Sequence, residues 1–184
     1  ETQIISHLSI HRAAGVFKIL DPGEQKRIIK NLPPFRSAEL LNELPPDDRV
    51  AFLEVLPNSA VRELIKALGP EERKVTLELL GYPENSVGRL MNPNYVYVYE
   101  YNTVKEVLET IRRYGTNSET IDVIYVINLK GELLDDIRIR DFILASPEVK
   151  VHELMDDRYI SLHANDDQEL ANEAFKMNNR VALP

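Results

Sequence analysis

Apolar side chains in the first half of the chain follow a twelve-residue repeat. Six leucines mark this repeat, and each is followed within three residues by a proline: they are Leu20, Leu32, Leu44, Leu56, Leu68 and Leu80. Proline is tolerated in the first turn of a helix but breaks a helix interior, because it lacks an N–H and clashes with the preceding turn. The repeat therefore predicts a series of short helices.

The other apolar positions of each repeat fall on one face of a helix. In one repeat they are Ile28, Ile29 and Leu32, and this spacing places the side chains on a single stripe. A helix of roughly ten residues spans about 15 Å and is only marginally stable alone in water. Neighbouring helices must therefore cover one another's stripes, and we predict an all-α superhelix of short helices over residues 1–85.

The pattern changes from helices to strands after Pro83. Tyrosine occupies every second position over residues 95–101, which is typical of a strand with one tyrosine face. Thr103 is placed to cap a following amphipathic helix. An apolar run rich in β-branched residues at 121–127 and a second strand at 132–139 then flank a turn. The predicted order is strand, helix, strand, strand, helix, over residues 95–101, 103–113, 121–127, 132–139 and 141–145. Residues 86–184 therefore predict a domain of the α+β class.

This α+β unit begins a second time after 64 residues. Tyr95 is answered by Tyr159, the pair at 102–103 by Asp166 and Asp167, and Ile111 by Phe175. We predict a first unit at about 88–148 and an incomplete second unit at 149–184, related by a pseudo-twofold axis. Residues 180–184 are expected to begin a strand, and the chain is expected to be a fragment cut inside this second unit.

Composition narrows the classes of function. The chain has 184 residues, of which 43% are hydrophobic, and this favours two small domains with cores of their own. The net charge of −8 disfavours nucleic acid and anionic membrane surfaces, and it fits cations or basic partners. There is no cysteine to form a disulfide or a thiolate metal site. No Gly-rich phosphate loop, His-Glu-x-x-His motif or nucleophile elbow is present, so we expect no catalysis.

The tandem α+β units resemble a pair of cystathionine-β-synthase (CBS) domains. The junction at residues 82–96, which reads YPENSVGRLMNPNYV, resembles the MgtE family of magnesium transporters. The proline-led repeats at 32–36 and 44–48 are similar to the amino-terminal superhelical domain of that family. The resemblance covers essentially the whole chain, and it agrees with the domain order predicted from the residue patterns.

The resemblance implies a homodimeric Mg²⁺ sensor on the cytoplasmic face of the cell membrane, attached to the transmembrane pore domain of the same full-length chain. In the family, bound Mg²⁺ holds the superhelical and CBS domains together and favours a closed pore. Such a role suits an acidic protein, because a divalent cation converts repulsion between facing carboxylates into a bridge. CBS pairs commonly dimerise through helices, and we expect that surface around Val107, Leu108 and Ile111.

Two acidic clusters are the candidate ligands for Mg²⁺, with other divalent cations as possible substitutes. Asp47 and Asp48 follow Pro46 in the first turn of a predicted helix, and Asp47 aligns with an acidic ligand position of the family. Asp166, Asp167 and Glu169 stand at the start of the predicted helix in the second unit. Mg²⁺ keeps several waters and needs only one or two carboxylates from each surface. The alternative is that these acids only cap helices or complement helix dipoles.

A nucleotide is the alternative ligand, because CBS pairs commonly bind ATP or AMP in the cleft between their units. Asp141 matches the family position that holds the ribose. Arg138 is placed to attract a phosphate, whereas Asp135 would oppose it. The acidic pairs 135–136 and 156–157 are otherwise expected to be solvated turn or edge residues. The remaining alternatives are a structural interaction module and a partner-binding patch formed by the tyrosines of residues 95–101.

Overall fold

The computed structural model describes residues 2–184, with side chains from residue 4 onward, and the chain divides into two compact units at the boundary between Met91 and Asn92. The described part of the first unit is helical throughout. Its helices are α1 (Thr2–His7), α2 (Ile10–Phe17), α3 (Pro22–Asn31), α4 (Pro34–Glu43), α5 (Pro46–Glu54), α6 (Asn58–Ala67), α7 (Pro70–Leu80) and α8 (Val87–Leu90). The predicted series of short helices is thereby confirmed.

Prolines mark the start of four of the helices named above. Helices α3, α4, α5 and α7 begin with proline, whose missing N–H would have had no partner in a first turn anyway. Asp21 caps α3, because its Oδ1 accepts hydrogen bonds from the backbone N–H groups of Gly23 at 2.9 Å and Glu24 at 3.0 Å. The starts of these four helices are therefore determined by residues that are local in sequence.

The core of the first unit is formed by the predicted apolar stripes. Ile28, Leu40 and Leu41 are completely buried, and Phe17 meets Phe52 edge-to-face with ring centroids 5.2 Å apart. Helices two apart in sequence contact each other, as α2 does with α4, α4 with α6, and α5 with α7. Each helix therefore covers the stripe of a neighbour, as the short helix length requires.

A second twelve-residue repeat, made of polar side chains, links successive helices. The residue at the fourth position of a helix donates a hydrogen bond to the carbonyl oxygen eight residues earlier, near the end of the preceding helix. The bonds run from Gln25 to Phe17 (2.9 Å), Ser37 to Ile29 (3.4 Å), Arg49 to Leu41 (2.7 Å) and Arg73 to Ile65 (3.0 Å). Val61 occupies the intervening position and has no donor. This repeat was not predicted from the sequence, since its side chains differ in type.

Arg49 makes the most extensive of these links. Its guanidinium also donates to the carbonyl oxygens of Asn42 and Leu44, and to Thr76 Oγ1 at 3.0 Å. The carbonyls at the end of a helix have no partner within the helix, so the buried guanidinium satisfies the end of α4 while it reaches α7. Burial lowers the pKa of Arg49 and nearby Glu72 opposes this shift, yet arginine remains the side chain best able to keep its charge there.

The second unit is a three-stranded sheet packed with helices. Its elements are β1 (Tyr97–Tyr99), α9 (Val104–Tyr114), β2 (Val123–Ile127), β3 (Leu133–Arg138), α10 (Ile139–Leu144) and α11 (Gln168–Asn178), with 3₁₀ turns at Gly115–Asn117 and Val151–Glu153. Strand β2 lies between β1, which is parallel to it, and β3, which is antiparallel. The core contains Val98, Val107, Ile124 and Phe142. The predicted order of elements and the α+β class are confirmed.

The 64-residue repeat is visible in the helices of this unit. Thr103 caps α9 in a capping box with Glu106, and Asp167 caps α11 by accepting from the N–H of Glu169 at 2.8 Å. The strand predicted at residues 180–184 is wrong, because this part of the described chain has no strand assignment. At the 64-residue offset these residues match 116–120, which lie just before β2. They therefore correspond to the segment that leads into β2 and not to the strand itself.

The predicted dimer surface on α9 also needs correction. Val107 is completely buried and Ile111 is 8% exposed, and both belong to the core of their own unit. Leu108 alone of the three predicted residues is partly accessible. The helical spacing was correctly identified, but this face of α9 covers the sheet and is not free for a second chain.

Candidate functional site

A pocket of about 290 Å³ lies in the second unit, between β3, the start of α10 and the segment that follows Leu154. Four arginines line it, namely Arg138, Arg140, Arg158 and Arg180. Four aspartates line it as well, namely Asp135, Asp136, Asp141 and Asp156. The pocket therefore combines donors suited to phosphate or carboxylate groups with acceptors suited to hydroxyl or amino groups.

Local structure explains why these side chains converge. Strand β3 ends at Arg138 and α10 begins at the next residue, so Arg140 and Asp141 fall in the first turn of the helix. The structure thus brings the two predicted nucleotide-binding residues, Arg138 and Asp141, to the wall of one pocket. Both side chains are exposed to solvent and accessible to a ligand.

The expectation that Asp135 is a solvated acid is wrong. It is 1% exposed, and its Oδ1 accepts from the N–H of Asp136 at 2.8 Å. Its Oδ2 accepts from the N–H of Asp156 at 2.8 Å and of Asp157 at 3.3 Å. Asp157 has a positive φ of 57°, a conformation that few non-glycine residues adopt. The carboxylate of Asp135 therefore stabilises this turn with hydrogen bonds to the backbone.

Asp136 is the second buried acid that was expected to be solvated. Its side chain is 1% exposed, and its Oδ2 accepts from Arg180 Nη1 at 2.9 Å. Its Oδ1 is buried and has no hydrogen-bond partner in the described part of the chain. Desolvation raises the pKa of Asp136; Arg180 lowers it, and Asp135 and Asp156 raise it further. This carboxylate is thus held by a single ion pair.

Asp136 also affects the pKa of a tyrosine on the neighbouring strand. Tyr125 pairs with Asp136 across the β2–β3 ladder. Burial, with a smaller contribution from the charge of Asp136, raises the pKa of Tyr125 to about 12. One signal for these buried acids is present in the sequence, since Asp135 and Asp136 interrupt the apolar residues of β3. That signal could not identify their partners, because Arg180 is 44 residues away.

The predicted metal ligands of the first unit lie where the helix pattern placed them. Asp47 and Asp48 are in the first turn of α5 and are half-buried. Asp48 Oδ2 is 3.6 Å from Lys18 Nζ, so a cation at this carboxylate would have to compete with a lysine. An acid in this turn also complements the helix dipole.

The predicted metal ligands of the second unit cluster at the start of α11. Asp166 accepts from the N–H of His163 at 2.8 Å, Asp167 is the N-cap, and Glu169 is in the first turn. These contacts agree with the capping alternative, and each carboxylate keeps further lone pairs. Among residues 2–184, no three histidine or acidic side chains are arranged so that they could hold a metal ion.

The tyrosines of β1 and its flanks form a continuous row on one face of the sheet. Successive rings of Tyr95, Tyr97, Tyr99 and Tyr101 lie 5.3 to 6.3 Å apart, and Tyr95 also meets Tyr125 at 5.6 Å. Tyr95, Tyr97 and Tyr101 are each about half exposed, whereas the valines between them are buried. The predicted alternation of the strand is confirmed.

Comparison with known proteins assigns two parts of the chain to known domain families. Residues 1–85 match the MgtE intracellular N domain, and residues 87–148 match the CBS domain. The magnesium transporter MgtE of Bacillus subtilis is 36% identical over 106 residues, which are 58% of this chain and 24% of that protein. The magnesium transporter MgtE of Thermus thermophilus is 42% identical over 91 residues, which are 50% of this chain and 20% of that protein.

A solved structure resembles the chain over its whole length. The cytosolic domain of the Mg²⁺ channel MgtE in complex with ATP matches with a TM-score of 0.94 and 34% identity, covering 100% of this chain and 75% of that one. The fold thus defines a class of protein in which a helical MgtE N domain precedes a CBS domain. The chain belongs to the MgtE family of magnesium transporters. No helix within residues 2–184 is long and apolar enough to cross a membrane.

Proposed function

We propose that this chain is the cytosolic, Mg²⁺-sensing regulatory part of a magnesium transporter and that it has no catalytic activity of its own. The observation that carries this proposal is the full-length match to the cytosolic domain of the Mg²⁺ channel MgtE, which includes both units in the same order. The partners in this proposal are a second copy of the chain and the transmembrane pore domain of the same full-length protein. Its acidic charge of −8 supports a cation as the ligand rather than nucleic acid.

In this proposal Mg²⁺ acts by bridging carboxylates of the two units. The ligands come from Asp47 and Asp48 in the helical unit and from Asp166, Asp167 and Glu169 in the CBS unit. Without the cation these carboxylates repel one another, and with it the associated state is favoured. The pore closes when Mg²⁺ is abundant and opens when it is scarce.

The sensor requires only that Mg²⁺ binds one arrangement of the units more tightly than another. The Mg²⁺ concentration at which the two units associate depends on that difference in affinity. The ion pair of Asp48 with Lys18 reduces the free energy that is gained when a metal binds Asp48. Ca²⁺ and Mn²⁺ are expected to substitute in part, because they accept the same oxygen ligands.

Small-angle scattering tests the proposal. The radius of gyration of the wild type should fall between EDTA and about 10 mM MgCl₂, a concentration chosen to saturate a millimolar site. Asp47→Ala should lose most of this change. Glu71→Ala is the matched control, because Glu71 follows Pro70 in the first turn of α7 as Asp47 follows Pro46 in α5. An unchanged wild type, or an equal response of Asp47→Ala, would contradict the proposal.

A second candidate function is the binding of an adenine nucleotide in the pocket of the CBS unit. Two observations favour it: the similar cytosolic domain was solved with ATP, and Arg138 and Asp141 line one pocket here. Asp141 would accept from the ribose hydroxyls and Arg138 would bind a phosphate. This function is compatible with Mg²⁺ sensing, because the residues are different.

Thermal melting tests the second candidate. ATP or AMP should raise the melting temperature of the wild type, because a ligand that binds only the folded state stabilises it. Arg138→Ala should reduce the shift, whereas Arg112→Ala, which removes an exposed arginine of α9 outside the pocket, should preserve it. If neither nucleotide shifts the wild-type melt, the candidate is rejected.

A further inference from the structure

The arginines of the pocket differ in their availability. Arg138, Arg140 and Arg158 are exposed, whereas the side chain of Arg180 is 17% exposed and bonded to Asp136. A guanidinium binds carboxylate and phosphate oxygens through the same N–H groups. A phosphate that binds Arg180 in addition to the exposed arginines must therefore share this guanidinium with Asp136.

Asp136 makes few hydrogen bonds for a buried carboxylate. One oxygen accepts from Arg180, and the other is buried without a partner in the described chain. Burying a charged group without full hydrogen bonding is costly, and a single buried ion pair often fails to repay the desolvation of its members. Stability alone is therefore a poor explanation for a charged residue at this position.

The neighbouring Asp135 is different. Both of its oxygens accept hydrogen bonds from backbone N–H groups, so its negative charge is balanced by local dipoles. Asp156 is exposed, and its Oδ1 accepts from the N–H of Arg158 at 3.0 Å. Among these three acids, Asp136 is the one paired to an arginine of the pocket.

We infer that Asp136 is an internal competitor for the phosphate groups of the pocket's ligand. Its carboxylate occupies Arg180 and sets a low affinity for anions, and a bound phosphate gains Arg180 only by weakening that ion pair. This inference deepens the second candidate function and rests on it. It reverses the sequence-based expectation, in which Asp135 was the acid that opposes a phosphate.

Calorimetric titration with ATP, and separately with inorganic triphosphate, tests the inference. Asp136→Asn keeps the shape of the side chain and an oxygen for Arg180 but removes the charge. Removing one negative charge within several ångströms of a bound phosphate should tighten binding at least about fivefold. Asp156→Asn is the matched control, because it removes an equal charge from the same pocket at a solvated position, and it should change affinity by less than about twofold.

Arg180→Ala provides a second variant that does not depend on the folding of Asp136→Asn. It should bind ATP more weakly than the wild type, and the double variant should lose the gain shown by Asp136→Asn. Failure of this coupling would show that Arg180 is not the shared group, and it would overturn the inference.

The remaining outcomes distinguish failure of the inference from failure of the nucleotide function. If wild type and Asp136→Asn bind ATP equally, or if Asp156→Asn gains as much, the inference is wrong and the nucleotide function stands. If no variant binds ATP or triphosphate, both are rejected. If triphosphate shows the same gain as ATP, the inference holds and the competition concerns the phosphates rather than the nucleoside.

Discussion

A single guanidinium links two helices of the first unit to each other. Arg49 is 3% exposed and donates to the carbonyls that end α4 and to Thr76 on α7. These carbonyls would otherwise be buried without partners. Arg49 is therefore a structural residue, although it directly follows the candidate metal ligands Asp47 and Asp48 in sequence.

We expect Arg49→Met to lower the free energy of unfolding by roughly 3 kcal/mol, because it leaves several buried acceptors without donors. Urea denaturation of the two proteins would measure this difference. Arg62→Met, which removes an exposed arginine from α6, should cost less than about 0.5 kcal/mol. Equal denaturation midpoints for the wild type and Arg49→Met would show that water can replace the guanidinium.

Residues whose roles depend on near neighbours were predictable. Thr103 was predicted as the cap of its helix and is one, and the buried stripe around Ile28 followed from spacing alone. The burial of Asp135 and Asp136 was not predictable. It depends on how β3 packs and on residues more than 20 positions away, which a local pattern does not contain.

At the scale of elements, the short helix α8 depends on close packing of a glycine. Gly88 lies against the ring of Tyr82, and a Cβ at this position would overlap the ring. Arg89 then donates to the carbonyl of Tyr82 at 2.7 Å and pairs with Glu54 on α5. These contacts attach α8 to the helical unit.

Gly88→Ala should therefore lower the free energy of unfolding by about 1–3 kcal/mol, because the new methyl group overpacks this contact. Gly15→Ala is the matched control. Gly15 lies in helix α2 with open space around its missing Cβ, so alanine should raise stability by about 0.5–1 kcal/mol. Differential scanning calorimetry of the two variants would compare the melting temperatures, and shifts of the same sign would contradict the packing argument.

The 64-residue repeat predicted a helix of the second unit correctly and a strand of that unit incorrectly. The 64-residue offset correctly gave α11 and its cap from α9, because a capped amphipathic helix is specified by its own residues. The strand expected at 180–184 was wrong, since a strand also needs a partner with which to pair. In the first α+β unit, β2 has a partner on each side.

At the scale of the whole molecule, composition and motif order were enough to predict the architecture. The helical unit followed by an α+β unit was expected from the change in periodicity, and the comparisons confirm the family. The Mg²⁺ ligands stay predictions, because one or two carboxylates per surface leave no distinctive motif. The dimer surface was placed wrongly because the apolar face of α9 is covered by its own sheet.

The polar repeat of the helical unit has one gap, at Val61. We expect the helical unit to open locally at this gap first. Each eight-residue link joins a helix to the one before it, and Arg49 alone of these four donors also reaches a later helix, α7. Val61 provides no link from α6 back to α5, and none of the described residues of α6 is fully buried. Local opening should begin at this step, which would leave the helices up to α5 as one block able to stay folded while α6 exchanges its amide protons.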